Sequence, residues 1–359
     1  VRINVRCPIY SPTGYGQISR LVVKALLERD FEVLLSPIGT GSGFFDDLVR
    51  PPDDNAPGLV IAPPTEVFPL GRPRFALVFG ESVVPPPGSS ARLSLFDKVL
   101  VMSNFVARIF SGVGVDRSRI AVLPPIVDRS LFNPENAPLF VKNIRPFVIL
   151  FVGDLILRKG WDRLLKAACV FNTNDDVCIL LKTTSRQAQR VERVKREIGL
   201  RVPILLCQRS LGPKKIARLY QVPRKLLPDR EYAFVSRDVR GVFALPSLGE
   251  GLGLPYLEAM SSGLLTLGTN ATGQNEIVRS DRAIVVPSLP LRREYALELE
   301  RPYYRGQPFF DVDVNAVKDA LLRAYNLSDA ERSRLVSRAL DFSRSFTPSR
   351  FVDAFLELL

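Results

Sequence analysis

Along this chain, short apolar runs alternate with stretches whose apolar residues recur every three or four positions. Ile3 to Arg6, Glu32 to Leu35, Leu59 to Ala62, Phe75 to Phe79, Lys98 to Met102 and Ile120 to Leu123 are rich in β-branched and aliphatic residues, and read as strands. Between the first two, Ile18, Leu21, Val22, Ala25 and Leu26 fall at helical spacing behind a loop that holds Gly14 and Gly16. Ser103 is placed to cap a helix carrying Phe105, Val106 and Phe110 on one face. Strands alternating with helices predict a parallel sheet covered by helices.

The pattern lapses from Pro124 to Pro146, where Pro, Asn, Asp and Arg dominate, and then resumes. Phe147 to Val152 is apolar throughout, as a strand buried on both faces should be. A helix from about Trp161 to Phe171 follows, and Val177 to Leu181, Ile204 to Leu206, Val242 to Leu245, Leu264 to Leu267 and Ala283 to Val286 continue the strands. Val222 to Arg240 and Leu289 to Pro308 lack periodicity and are expected to be loop insertions. Val317, Leu321, Leu322 and Tyr325 mark one amphipathic helix; Phe351, Val352, Phe355 and Leu358 mark a last one. The expected fold is α/β, with a doubly wound Rossmann-like domain over 1–140 and a second over 141–344. The C-terminal helix, about 345–359, is expected to pack back on the first.

A chain of 359 residues is long enough for two separate cores. It contains no histidine, so imidazole is excluded as base, nucleophile or metal ligand. The net charge of +12 favours phosphate-bearing partners. It allows peripheral contact with a membrane, whereas nothing in the sequence forms a nucleic-acid-binding motif. Cys7, Cys169, Cys178 and Cys207 lie far apart and predict neither a disulfide framework nor a metal site; they suit buried thiols in a reducing compartment. No apolar run reaches the length of a membrane span. The expectation is a cytoplasmic protein, soluble or held at the inner membrane face.

In open parallel sheets, ligands bind where strands end and helices begin. Three segments occupy such places. Ser11 to Gly16, which contains Gly14, Tyr15 and Gly16, follows the first strand, and its two glycines let backbone approach an anion. Gly153 to Gly160 follows the first strand of the second domain and carries Arg158 and Lys159, two adjacent cations suited to a diphosphate. Ser247 to Glu258 runs from a buried strand through Gly251 and Gly253 into a helix opening at Leu254 and Pro255, with Glu250 in the loop and Glu258 on the helix.

Glu250 and Glu258, with seven residues between them around Gly-Leu-Gly-Leu-Pro, resemble the E-x7-E signature of retaining GT-B glycosyltransferases of the family 4 type, the glycosyl transferases group 1. The resemblance extends to Gly273 and Glu276, and back to Gly153 with Arg158-Lys159-Gly160, although the arginine frequent after that glycine is Asp154 here. Gly80-Glu81-Ser82, Leu123-Pro124 and Phe132 match more loosely.

The resemblance implies two domains facing across a cleft and a nucleotide-diphosphate sugar, of UDP-glucose or GDP-mannose type, as donor. It implies Arg158 and Lys159 on the diphosphate, Glu250 on the transferred sugar, Glu258 on the ribose, and contacts from Gly153, Ser247, Gly251, Gly253 and Leu254. The loop at Gly14, Tyr15 and Gly16 would close over the phosphates. The expected acceptor is a glycan, lipid or protein, with no metal and no other cofactor. Many relatives place a histidine beside the sugar; Glu81 lies in roughly that part of this sequence and is the expected replacement. Two alternatives stand beside this: a nucleic-acid-modifying enzyme of the same fold, and a catalytically weakened sugar-nucleotide binder.

Overall fold

The computed structural model describes residues 1–184, 187–224, 239–292, 304 and 307–359. The chain divides into two compact units, Val1–Asp128 with Ser345–Leu359, and Arg129–Arg344. Residues 129–140 therefore group with the second unit.

In the first unit, β1 (Arg2–Cys7), β2 (Glu32–Pro37), β3 (Gly58–Ile61), β4 (Arg74–Leu77), β5 (Lys98–Val101) and β6 (Ile120–Val122) form a parallel sheet of order β2-β1-β3-β4-β5-β6. The chain direction across the sheet reverses between β1 and β3. Helices α1 (Gly14–Leu27), α2 (Ser89–Leu93) and α3 (Asn104–Gly112) connect the strands. Ser103 caps α3 as expected, its Oγ accepting from Val106 N at 3.2 Å. Gly16 is needed at the start of α1, because a Cβ there would stand 2.0 Å from the carbonyl oxygen of Ser11.

In the second unit, β7 (Phe147–Val152), β8 (Val177–Lys182), β9 (Ile204–Cys207), β10 (Arg240–Leu245), β11 (Thr266–Thr269) and β12 (Ile284–Val286) form another parallel sheet, of order β12-β11-β10-β7-β8-β9. Its reversal falls between β7 and β10. Among the described residues its helices are α4 (Trp161–Ala167), α5 (Ala188–Glu197), α6 (Pro213–Leu219), α7 (Leu254–Ser261), α8 (Val314–Asn326) and α9 (Asp329–Ser343). The linking segment is held to α6 and the turn after it: Leu139 N donates to Arg218 O at 2.9 Å, and Gln221 Nε2 to Asn133 O at 2.9 Å.

All the expected strands form, with ends moved by a residue or two; that at Leu264 begins only at Thr266. The helix expected to run to Phe171 ends at Ala167 and tightens into a 3-10 turn, Ala168–Val170. Of the two expected insertions, 225–238 lies outside the described residues, and so do 293–303 and 305–306. The flank of the second is not loop: β13 (Ser288–Arg292) pairs antiparallel with β14 (Phe309–Val312). Pro290 within β13 disguised that short ribbon. Helix α9 was not anticipated, although Ser328 caps it by accepting from Glu331 N. Cys169 corrects the expectation of buried thiols, being exposed; all four cysteines are free.

The last helix, α10 (Pro348–Leu356), belongs to the first unit and packs on α1. Its buried Phe355 meets Phe75 of β4 edge-to-face, with ring centroids 5.0 Å apart. Phe355→Ala should therefore destabilise the first unit by about 3–5 kcal/mol, the usual cost of emptying an aromatic site. A urea titration followed by hydrogen exchange of the first unit's strands would register it.

Candidate functional site

The second unit brings two of the chemistry-bearing segments together at its sheet reversal. Gly153 to Lys159 leaves the carboxyl end of β7, and Ser247 to Glu250 leaves that of the adjacent β10. Where neighbouring strands send their connections to opposite sides, a crevice opens for a ligand.

The loops are locked together there. Gly160 lies at φ +67°, and a Cβ on it would stand 1.9 Å from the carbonyl oxygen of Pro246; only glycine lets the turn before α4 lie against the end of β10. Leu248 N donates to Arg158 O at 2.7 Å, and the Arg158 guanidinium donates to Gly249 O. Glu250 N donates to Thr272 Oγ1 at 2.8 Å and to Gln274 Oε1 at 2.9 Å, while Gly273 N donates back to Glu250 O at 2.9 Å. Gln274 Nε2 completes the brace with Ser247 O at 3.2 Å.

Glu250 is buried, 5% exposed, among cations. Its Oε1 accepts from Lys159 Nζ at 2.7 Å and from Ser247 Oγ at 2.7 Å; its Oε2 lies 3.2 Å from Arg158 Nη1. Burial pushes the Glu250 carboxyl upward, but the charges of Lys159 and Arg158 and the hydrogen bonds from Lys159 and Ser247 prevail and hold it at about 2. It is thus ionised at neutral pH and accepts hydrogen bonds without donating. Among the described residues, two cations face this one carboxylate. Of the two, Arg158 is the deeper, its side chain 6% exposed against 14% for Lys159, and it lies over the Tyr304 ring with Cζ 5.1 Å from the centroid.

Gly253, at φ +92°, precedes α7, and Leu254 and Pro255 open the helix as expected. Glu258, one turn on, is buried and accepts from Tyr220 Oη at 2.7 Å. Tyr220 is fully buried and packed against Phe132 and Phe243; burial first, then the charge of Glu258, raises its phenol well above the ordinary range. Glu258 therefore has a fixed, neutral hydrogen-bond donor. Tyr220, Thr272 and Gln274 were not singled out from sequence. Gln274 lies beside the recognised Gly273, whereas Tyr220 has no local signature and is found only through its contact.

Gly153 N donates to Lys182 O at 3.0 Å, beside the Lys159 stem. Gly251 lies against Gly273, whose missing Cβ would otherwise stand 2.0 Å from the Gly251 carbonyl oxygen. Gly14, Tyr15, Gly16 and Glu81 belong to the first unit. Gly14 and Gly16 lie in the first turn of α1, Tyr15 packs edge-to-face on Phe79 at 5.1 Å, and Glu81 is half-buried in the loop after β4. Among the described residues, no group of three or more His, Cys, Asp or Glu side chains is placed to hold a metal ion, and no helix is long and apolar enough to cross a membrane.

Residues 239–298, which contain β10, the Glu250 loop, α7 and the Gln274 turn, match the family described as Glycosyl transferases group 1. No curated protein matches the chain. Among solved structures, HepE from Anabaena in complex with UDP and glucose is similar over 100% of both chains, at 13% identity and a TM-score of 0.62. The sucrose-phosphate synthase of Thermosynechococcus elongatus is similar over 99% of this chain and 98% of its own, at 15% identity and 0.67. A glycosyltransferase from Rickettsia africae is similar over 99% and 97%, at 15% identity and 0.65. The chain thus has the GT-B fold of two Rossmann-like domains, and the matched segment is the one that carries Glu250 and Glu258.

The depressed Glu250 pKa has a stability consequence. A carboxyl held at about 2 instead of its ordinary 4.5 contributes stability that is fully present above the ordinary value and is lost as pH falls toward 2. Glu250→Gln should remove that part of the acid limb, so that unfolding free energy falls less steeply between pH 4.5 and 2 than in the parent. Urea titrations across that range would measure it.

Proposed function

We propose that the protein is a retaining glycosyltransferase that takes a sugar from a nucleotide-diphosphate donor bound at the β7/β10 reversal of the second unit. The observation that carries this is the Arg158–Lys159–Glu250 cluster, which sets two cations against an ionised carboxylate, Glu250, that lies in the segment matching group 1 glycosyl transferases. HepE, of the same fold, binds UDP-glucose, which makes that donor the first to test, with GDP-mannose second.

In this proposal Lys159, the more open cation, meets the charge that develops on the departing diphosphate. Arg158 anchors the Gly249 carbonyl and strengthens the local field. Glu250 accepts from hydroxyls of the transferred sugar, and Glu258, oriented by Tyr220, from those of the ribose. The backbone of Gly251, Gly253 and Leu254 lines the loop and helix entrance on which the donor rests, while Gly14, Tyr15 and Gly16 are the proposed phosphate cover. With two cations taking the leaving charge, no metal is needed. Glu81 is proposed in the role that a histidine fills elsewhere; unchanged activity of Glu81→Ala would remove it. The acceptor is a glycan, lipid or protein. A catalytically weakened donor-binding protein is the second reading, favoured by the absence of histidine.

Calorimetry with UDP-glucose and GDP-mannose, in buffer containing EDTA, tests the site. One donor should bind, and Glu258→Ala should weaken it at least tenfold, about 1.4 kcal/mol. Lys159→Ala should lower kcat about 100-fold, the order found when one donor to a developing charge is removed. Binding of neither donor would overturn the proposal; binding with no turnover on any acceptor would select the second reading.

A further inference from the structure

The first unit holds a second concentration of charge at its own sheet reversal. β1 is an interior strand, between β2 and β3, and interior parallel strands are normally apolar on both faces. Arg6 departs from this: it is exposed one residue before the strand ends, although Ile3, Val5 and Cys7 are buried. Phe68, in the segment that follows β3, is 45% exposed. The Arg6 Cζ lies 5.9 Å from its ring centroid, and the Arg92 Cζ, on α2, lies 4.4 Å from it.

Two guanidinium groups thus gather on one exposed ring. Among the described residues, neither Arg6 nor Arg92 has a carboxylate partner. The other end of the same strand behaves differently, since Arg2 is held by Glu32 at 3.0 Å and by Asp53 at 2.9 Å. Like charges gathered on one ring without an acid repel, and a cation–π contact at an exposed site offsets little of that cost. A doubly charged tetrahedral oxyanion would neutralise both, because each guanidinium fork matches its oxygens.

We propose that Arg6, Arg92 and Phe68 form a binding site for a phosphate ester on the first unit. If the glycosyltransferase reading holds, on which this extension rests, the acceptor is a phosphorylated compound. Phe68 holds the two guanidinium groups beside its ring, and Arg6 and Arg92 supply the charge.

Calorimetry with glucose 6-phosphate tests the site. The parent should bind it, and Arg6→Gln and Arg92→Gln should each weaken it about tenfold or more, as loss of a charge-assisted hydrogen bond does. Lys159→Ala, at the donor site, should leave this affinity unchanged. Co-sedimentation with phosphatidylglycerol vesicles forms the second arm. Vesicle binding lost in the two arginine variants, with no binding of glucose 6-phosphate, would support the site and assign its phosphate to a lipid headgroup. Equal affinity in parent and arginine variants, loss in Lys159→Ala instead, or no binding of either probe would overturn it. Circular dichroism melts of each variant separate loss of binding from loss of fold. A parent that binds phosphate through Arg6 and Arg92 but no nucleotide sugar would keep this site and sink the donor reading.

Discussion

The buried carboxylate of Glu250 is the constraint around which the second unit is organised. A charge removed from water is costly unless it is paired and hydrogen-bonded, so Glu250 requires Lys159, Arg158 and Ser247 at fixed positions. Those partners come from the ends of two strands that are distant in sequence and adjacent in the sheet. The site and the strand pairing therefore specify each other: a slip of β7 against β10 would leave the carboxylate unpaired.

Much of the surrounding backbone serves that geometry. The Thr272–Gln274 turn holds the Glu250 amide from one side, and the close packing of Gly160 on Pro246 holds the cation-bearing turn from the other. Gln274 reaches both Ser247 and Thr269, so the ends of β10 and β11 are tied as well. A loop braced on this many sides loses little further freedom when a ligand binds, and preorganisation of that kind is what electrostatic stabilisation of a developing charge needs. Glu258 is held by the Tyr220 phenol in an aromatic setting.

Legibility in the sequence followed the range of the interactions. Strands such as Phe147–Val152 were plain because full burial demands an unbroken apolar run. Arg158, Lys159, Ser247 and Glu250 were legible as segments, since their motif lies within a few residues of each strand end. What no local pattern encodes is partnership across the fold. Tyr220 is far from Glu258 in sequence and near only once α6 and α7 are in place. The ribbon of β13 and β14 was hidden for a similar reason: Ser288–Arg292 contains proline and finds its partner only at Phe309–Val312. Charge was likewise legible only as a total, because the sequence does not say which arginines are paired.

That last distinction gives the net charge of +12 its meaning. Arg2, Arg29 and Arg240 stand beside carboxylates, and their charge is largely cancelled where it sits. At the β7/β10 reversal, among the described residues, two cations meet one carboxylate. At the β1/β3 reversal two guanidinium groups share an aromatic ring and have no carboxylate partner among the described residues. A field that attracts an anion comes from such local surpluses and is focused where a crevice lies between strand ends. The two sheets thus gather cations at the same topological position. The two groups differ in depth: the one beside Glu250 is fixed and largely buried, as the proposed stabilisation of a developing charge needs, whereas the one at Phe68 is open to water, as the proposed recognition of a charge already carried by a ligand needs.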